Sequence, residues 1–255
     1  MSATPSEGSN ERHEEGCFAR TFERKYYHRG VAFIKRSLRP REFRTNQRGD
    51  LHIPRANGER IKNEADTLRY IREHTDIPVP TVYADFEDDG AYYLVVEYIE
   101  GVCMADLTED QKEVVELELD GHLNTLGGLR SNRVGGPSGI VIPPYRVMRR
   151  TVTVMAACSR PAGFVTRTEK DSWNPRPSRK KRFVFCHNDL SQHNVIVDPD
   201  TLKVKAIVDW EYAGFYPGCF EMLFYQRKGP SVALPDEMDD SALLLTFRFS
   251  EPAGN

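Results

Sequence analysis

No cysteine in this chain has a close cysteine neighbour. The five present, Cys17, Cys103, Cys158, Cys186 and Cys219, stand singly, and an odd total without a Cys-x-x-Cys pair argues against a disulfide framework or a zinc site. Long apolar runs are missing as well. The N-terminal Met-Ser-Ala-Thr-Pro-Ser-Glu-Gly-Ser-Asn has no signal-type apolar core, and no run is long enough to span a bilayer. By default the expected location is cytosolic or nuclear, and we take cytoplasmic. A dominant charge sign is also lacking. Lys+Arg 35 against Asp+Glu 38 leaves a net charge of -3, which offers no chain-wide field for nucleic acid or an anionic membrane.

What is there is a polar chain with room for a sizeable core. At 255 residues it can form one large domain or two small ones, and 29% charged against 39% hydrophobic residues leads us to expect unstructured ends. Residues 1–17 are polar and unpatterned and read as a disordered tail. From Phe22 to Ile34 a β-type hairpin is expected, turning at His28-Arg-Gly30 and running into Lys35. Between Glu59 and His74 the 3.6-residue period of Ile61, Ala65, Leu68 and Ile71 predicts a helix with Glu64 beside the apolar stripe, a position that invites a cationic partner. Lys62, close by, competes for it.

Val82–Phe86 and Tyr92–Val96 flank Glu87-Asp-Asp-Gly90, a hairpin signal, and Glu97-Tyr-Ile-Glu-Gly101 marks an exit from the sheet. Thr108 with Gln111 forms a capping-box pattern ahead of a helix carrying Val115, Leu119, Leu123 and Leu126. Residues 146–182 read as an irregular insertion or linker, with a basic cluster at Arg176 and Arg179–Arg182. A nuclear-import or anion-binding tract competes there with a solvated linker.

The most specific stretch is Phe183-Val-Phe-Cys-His-Asn-Asp-Leu-Ser-Gln-His-Asn-Val-Ile-Val197 followed by Ala206-Ile-Val-Asp-Trp210. Short β runs bracket Asp189 and Asn194, and Asp209 ends the next apolar run. Asp198-Pro-Asp-Thr201 turns the chain back, so that the Asp189 loop lies close to Asp209. Phosphoryl transfer needs this inventory: one carboxylate to orient or deprotonate the acceptor hydroxyl, an amide oxygen and a second carboxylate to hold magnesium.

His187-Asn-Asp-Leu-Ser-Gln-His-Asn194 with Ile207-Val-Asp209-Trp-Glu resembles the catalytic segments of the aminoglycoside phosphotransferase and choline-kinase-like family, a branch of the protein-kinase-like fold. Ile77-Pro-Val-Pro-Thr-Val-Tyr83 and Glu97-Tyr-Ile-Glu-Gly101 look like its fungal members. The resemblance covers roughly residues 20–145 and 183–225. It implies an α+β, two-lobed fold, with an N-terminal antiparallel sheet and one helix over residues 18–98 and a mostly helical C-terminal lobe over 99–255. It implies ATP and Mg2+, a small-molecule hydroxyl acceptor, and no nucleic acid or membrane partner. Carried over by position, Asp189 is the catalytic base, Asn194 and Asp209 are magnesium ligands, and His187 braces the loop. Lys35 contacts phosphate, Glu64 is its ion-pair partner, and Glu97, Tyr98 and Ile99 offer backbone groups to adenine.

Two departures stand out. No Gly-x-Gly-x-x-Gly precedes Lys35, and the chain stops soon after Asp209, where the family continues with helices that shape the acceptor pocket. A catalytically inactive nucleotide-binding or interaction module is therefore the alternative expectation. A third reading takes His187, Asp189 and His193 as a two-histidine, one-carboxylate iron site. Glu211 is open between a metal or acceptor contact and a helix-start carboxylate.

Overall fold

The computed structural model describes residues 14–45, 49–147, 182–241 and 244. The tail to residue 13 and most of the 146–182 insertion, including Arg176 and Arg179, lie outside the described residues.

The first half is built on one antiparallel sheet. Strands β1 (Cys17–Arg20), β2 (Arg24–Arg29), β3 (Ala32–Ser37), β4 (Val82–Asp88) and β5 (Ala91–Glu97) pair in the order β1-β2-β3-β5-β4. The hairpin expected from Phe22 therefore has an additional strand before it, and its second strand runs past Lys35. Lys35 sits inside β3, between Tyr26 on β2 and Leu94 on β5. Because side chains alternate along a strand, Phe33 and Lys35 share one face with Tyr26, Leu94 and Val96, while Arg36 points to the other. Gly30, at φ +57, makes the β2–β3 turn in a left-handed conformation that costs glycine nothing.

Helix α1 (Asn57–His74) lies on this sheet. Its stripe of Ile61, Ala65, Leu68 and Ile71 is at most 2% exposed and packs with Leu94 and Val96. Burying four such side chains contributes on the order of 5–10 kcal/mol before entropy is counted.

The chain then passes through β6 (Val102–Cys103) into helix α2 (Glu109–Gly128). Thr108 and Gln111 form the reciprocal box: the Thr108 Oγ1 accepts from the Gln111 N–H, and the Gln111 Oε1 accepts from the Thr108 N–H at 3.0 Å. Strands β7 (Arg130–Ser131), β8 (Phe183–Cys186), β9 (Val195–Val197), β10 (Val204–Ile207) and β11 (Gly214–Tyr216) make two small sheets, β10-β9-β6 and β11-β8-β7. The β9–β10 hairpin forms as expected from Asp198-Pro-Asp-Thr201, with the Asp198 side chain accepting from the N–H groups of Asp200 and Thr201.

One continuous core joins both halves: α1 and β5 side chains pack in the same cluster as Leu119, Phe185, Val195, Ile207 and Trp210. The Ile207 N–H donates to Pro78 O at 2.9 Å, so the backbone also crosses between them. Among the described residues no helix is long and apolar enough to cross a membrane.

Candidate active site

Three charged groups meet where β3, α1 and the end of β10 converge. The Lys35 Nζ lies 2.7 Å from Glu64 Oε2 and 2.6 Å from Asp209 Oδ1. Lys35 and Glu64 are buried, whereas the Asp209 side chain is 34% exposed and opens to a cavity. Burial alone would lower the Lys35 ammonium, but Asp209 and then Glu64 outweigh it and hold the ammonium well above its ordinary value. Burial pushes the Glu64 carboxyl up, and Lys35 opposes that rise. Lys62 takes no part, pairing at 3.1 Å with Asp66 one turn along the helix.

The cavity holds about 260 Å³. Tyr26, Phe33, Leu68, Leu94, Val96 and Ile196 make its apolar walls. Lys35, Glu64, Asn194 and Asp209 line it too, as do Glu97, Tyr98 and Ile99. The last three are not equivalent. Glu97 turns its carboxylate to the N–H and hydroxyl of Thr81, and the Tyr98 N–H donates to Val31 O at 2.8 Å. Among the described residues no backbone acceptor pairs with the Ile99 N–H, and Ile99 lines the cavity. The Tyr98 ring stacks on His28, centroids 4.1 Å apart, beside the turn at Gly30.

Asp189 and Asn194 lie on the loop between β8 and β9. The Asn194 Nδ2 donates to Asp189 O at 2.7 Å, so the amide oxygen is turned away from that bond and is free for a cation. Burial, and after it the Asp209 carboxylate, lifts the Asp189 carboxyl to about 8, against the opposing Ser231 hydroxyl. His187 is fully buried behind this loop. Its Nε2 bonds Val208 O at 3.1 Å, and its Nδ1 accepts from the Asp189 N–H at 3.2 Å. Burial drives the imidazole down to about 4, so it is neutral, with the proton on Nε2.

Those bonds rule out the iron-site reading. Both His187 nitrogens are occupied by backbone groups, and His193 is exposed, its ring 3.9 Å from the Cys103 sulfur.

Glu211 is not available as a metal or acceptor contact either. One of its carboxylate oxygens lies within 4.8 Å of a ligand atom on each of Glu64 and Asp209, yet Oε2 pairs with Arg24 at 3.0 Å and Oε1 with Arg60 at 3.3 Å. Burial would raise this carboxyl, but Arg60 and then Arg24 hold it well below the usual carboxylate range. Sequence reasoning missed both arginines and also Asn63, whose amide donates to Glu211 O and Ala213 O at 3.2 and 2.9 Å. The signal was present: Arg60, Asn63 and Glu64 are spaced i, i+3, i+4, so one helix face carries three polar residues that all reach the Asp209 segment. Glu211→Gln leaves two buried guanidinium groups short of charge and is expected to destabilise the fold by about 3 kcal/mol in chemical denaturation. A change under about 0.5 kcal/mol, the range of an ordinary surface substitution, would contradict this arrangement.

Glu221 supports the loop from behind, with one carboxylate oxygen accepting from the His187 N–H. Burial raises its carboxyl from 4.5 to about 7, against the backbone donors of His187 and Asn188. A raised folded value means that stability is full below the unfolded pKa and is lost as pH climbs through the folded one. At about 1.4 kcal/mol for each pH unit between the two, the loss reaches up to about 3 kcal/mol. Glu221→Gln is expected to remove that decline between pH 4.5 and 7. Parallel stability profiles for variant and parent would exclude it.

Thr21-Phe22-Glu23 connects β1 and β2. There Thr21 Oγ1 accepts from the Arg24 N–H at 2.9 Å and from the Glu23 N–H at 3.2 Å.

Known proteins share parts of this sequence and fold. The chain is 27% identical over 165 residues to an aminoglycoside 3'-phosphotransferase of Streptomyces fradiae, covering 58% of this chain and 57% of that protein. It is 26% identical over 156 residues to another of that name from Streptomyces ribosidificus, covering 58% of each. It thus spans little more than half the length of these relatives. An aminoglycoside phosphotransferase structure from Streptomyces rimosus superposes with a TM-score of 0.50 at 16% identity, covering 76% of this chain and 70% of that one, a likeness of fold. A model of the phosphotransferase enzyme family matches residues 11–223, and with the α+β kinase-like architecture above, the chain belongs to that family.

Proposed function

We propose that the chain transfers the γ-phosphoryl group of ATP to a hydroxyl of a small molecule, with residues 18–98 as the nucleotide-binding lobe and 99–255 as the catalytic lobe. One observation carries this reading. Lys35 is held between Glu64 and Asp209 at the edge of a cavity that also presents Asn194, with the Asp189 loop alongside.

The residues fit a magnesium nucleotide. An apolar slot suits a purine, the backbone of Glu97, Tyr98 and Ile99 at its edge would offer hydrogen-bonding groups to it, and Lys35 can contact phosphate oxygens. The hard oxygen donors of Asn194 and Asp209 suit Mg2+, which when bound would neutralise charge on the phosphates. Glu64 keeps Lys35 aimed into the cavity. Asp189 orients the acceptor hydroxyl and takes its proton, and His187, neutral and bonded on both nitrogens, fixes the loop that carries Asp189. Catalysis rests on positioning and charge neutralisation, with no covalent enzyme intermediate.

The relatives' names support offering aminoglycosides first among candidate acceptors. Radiolabelled ATP offered with aminoglycosides, choline-like amines and sugars is expected to label at least one class. Nucleotide binding without label on any acceptor would favour an inactive nucleotide-binding module.

A further inference from the structure

We propose that Lys35 sets the order of binding: in the nucleotide-free chain its ammonium fills the cation position between Glu64 and Asp209, so a divalent metal ion reaches Asp209 only after nucleotide phosphates have drawn Lys35 off. The inference rests on the reading of Asp209 as a magnesium ligand.

Glu64, Asp209 and Glu211 each offer a carboxylate oxygen within 4.8 Å of the others, a grouping able to hold a metal ion. Two observations settle which cation it holds here. Arg24 at 3.0 Å and Arg60 at 3.3 Å take the two oxygens of Glu211, which leaves Glu64 and Asp209. Between those two stands the Lys35 Nζ, 2.7 Å from Glu64 Oε2 and 2.6 Å from Asp209 Oδ1. Among the described residues the ammonium has no other hydrogen-bond acceptor.

Lys35 cannot retreat with its backbone. It lies inside β3, paired with Tyr26 on β2 and Leu94 on β5, so the strand is fixed on both sides and only the side-chain stem can swing. A buried ammonium that leaves Asp209 needs another acceptor, because an unpaired buried charge is costly. Lys35, Asn194 and Asp209 line one cavity. Phosphates bound there supply that acceptor, while Glu64 keeps its hold on Nζ.

Charge and space explain why the metal waits. Glu64 and Asp209 carry one negative charge each, and Lys35 already cancels one of the two. A magnesium–oxygen bond is about 2.1 Å, so an ion on Asp209 Oδ1 would need the space of an ammonium only 2.6 Å away. On the other Asp209 oxygen it would lie a carboxylate's width from that buried ammonium, where little water screens like charges. Asn194 is neutral and offsets none of this repulsion.

The test titrates the full chain with Mn2+, a paramagnetic stand-in for Mg2+, without nucleotide, and reads free Mn2+ by electron paramagnetic resonance. Lys35→Met is expected to bind one Mn2+ per chain at least about tenfold more tightly than the parent, since a buried positive charge beside the site is gone. Lys35→Arg, which keeps the charge, should behave as the parent. Lys35→Met with Asp209→Asn should lose the new site. A folded Lys35→Met that binds Mn2+ no better than the parent, in a chain whose parent MgATP stabilises thermally, overturns the proposal. So does a nucleotide-free site in the parent that Asp209→Asn removes. Should Lys35→Met not fold, Lys35→Gln takes its place, and the parent alone still decides: it must bind Mn2+ through Asp209 only once a non-hydrolysable ATP analogue is added. Absence of any MgATP stabilisation of the parent instead removes the nucleotide reading, and this inference with it.

Discussion

Replacing Asp189 by asparagine is expected to lower phosphoryl transfer by about 10²–10⁴-fold while leaving nucleotide affinity within about twofold. Asparagine keeps the size and the hydrogen-bonding shape of the side chain but cannot accept the hydroxyl proton. Asp189 is not among the residues that line the nucleotide cavity, so binding has little reason to change. The same group sets the pH dependence. Burial and the Asp209 carboxylate hold it at about 8 in the ligand-free site, so it is largely protonated at neutral pH. Turnover at low ATP should therefore rise with pH and level off above that value, and neutralising Asp209 should move the rise to lower pH. A variant that binds nucleotide as poorly as it turns over would show that Asp189 supports the fold and not the chemistry.

Asp209→Asn is expected to cost MgATP about 10–100-fold in affinity, because a bond to a charged group contributes about 1.5–3 kcal/mol and each tenfold is about 1.4 kcal/mol. Asparagine is the informative replacement. Asp209 sits at φ +64 and ψ +49, a left-handed conformation that asparagine tolerates and alanine does not, so the backbone stays in place. The amide can still accept from Lys35, now held chiefly by Glu64 at 2.7 Å. Loss should accordingly fall on the magnesium-dependent part of binding, with metal-free ATP affected little. Equal losses with and without Mg2+ in calorimetric titrations would mean that Asp209 acts through Lys35 alone.

Local patterns were readable where one residue type at one spacing determines a geometry. The capping box at Thr108, the apolar stripe of α1 and the β9–β10 turn all formed where their spacing placed them. The meeting of Lys35, Glu64 and Asp209 was legible only through motif resemblance, because 174 residues separate Lys35 from Asp209. The arginines behind the site were not legible. Arg24 and Arg60 are 3% and 2% exposed, and a buried arginine becomes intelligible only once its carboxylate is seen. Glu211 was misleading for the same reason: its place beside Asp209 suggests a metal ligand, whereas Arg24 and Arg60 occupy both its oxygens. Glu221 and Ser231 lie in a region of turns and short 3-10 segments, where no periodicity marks which polar side chains point inward.

The central claim is that the cavity bounded by Lys35, Asn194 and Asp209 takes a nucleotide together with magnesium. Thermal unfolding of the unaltered chain, titrated with ATP with and without Mg2+, tests it most directly. A ligand that binds only the folded state stabilises it by about 2.7 kcal/mol at a hundred times its Kd. The account predicts a midpoint that climbs with the logarithm of ATP concentration when Mg2+ is present and climbs far less without it. A midpoint indifferent to ATP in the presence of Mg2+ would contradict it.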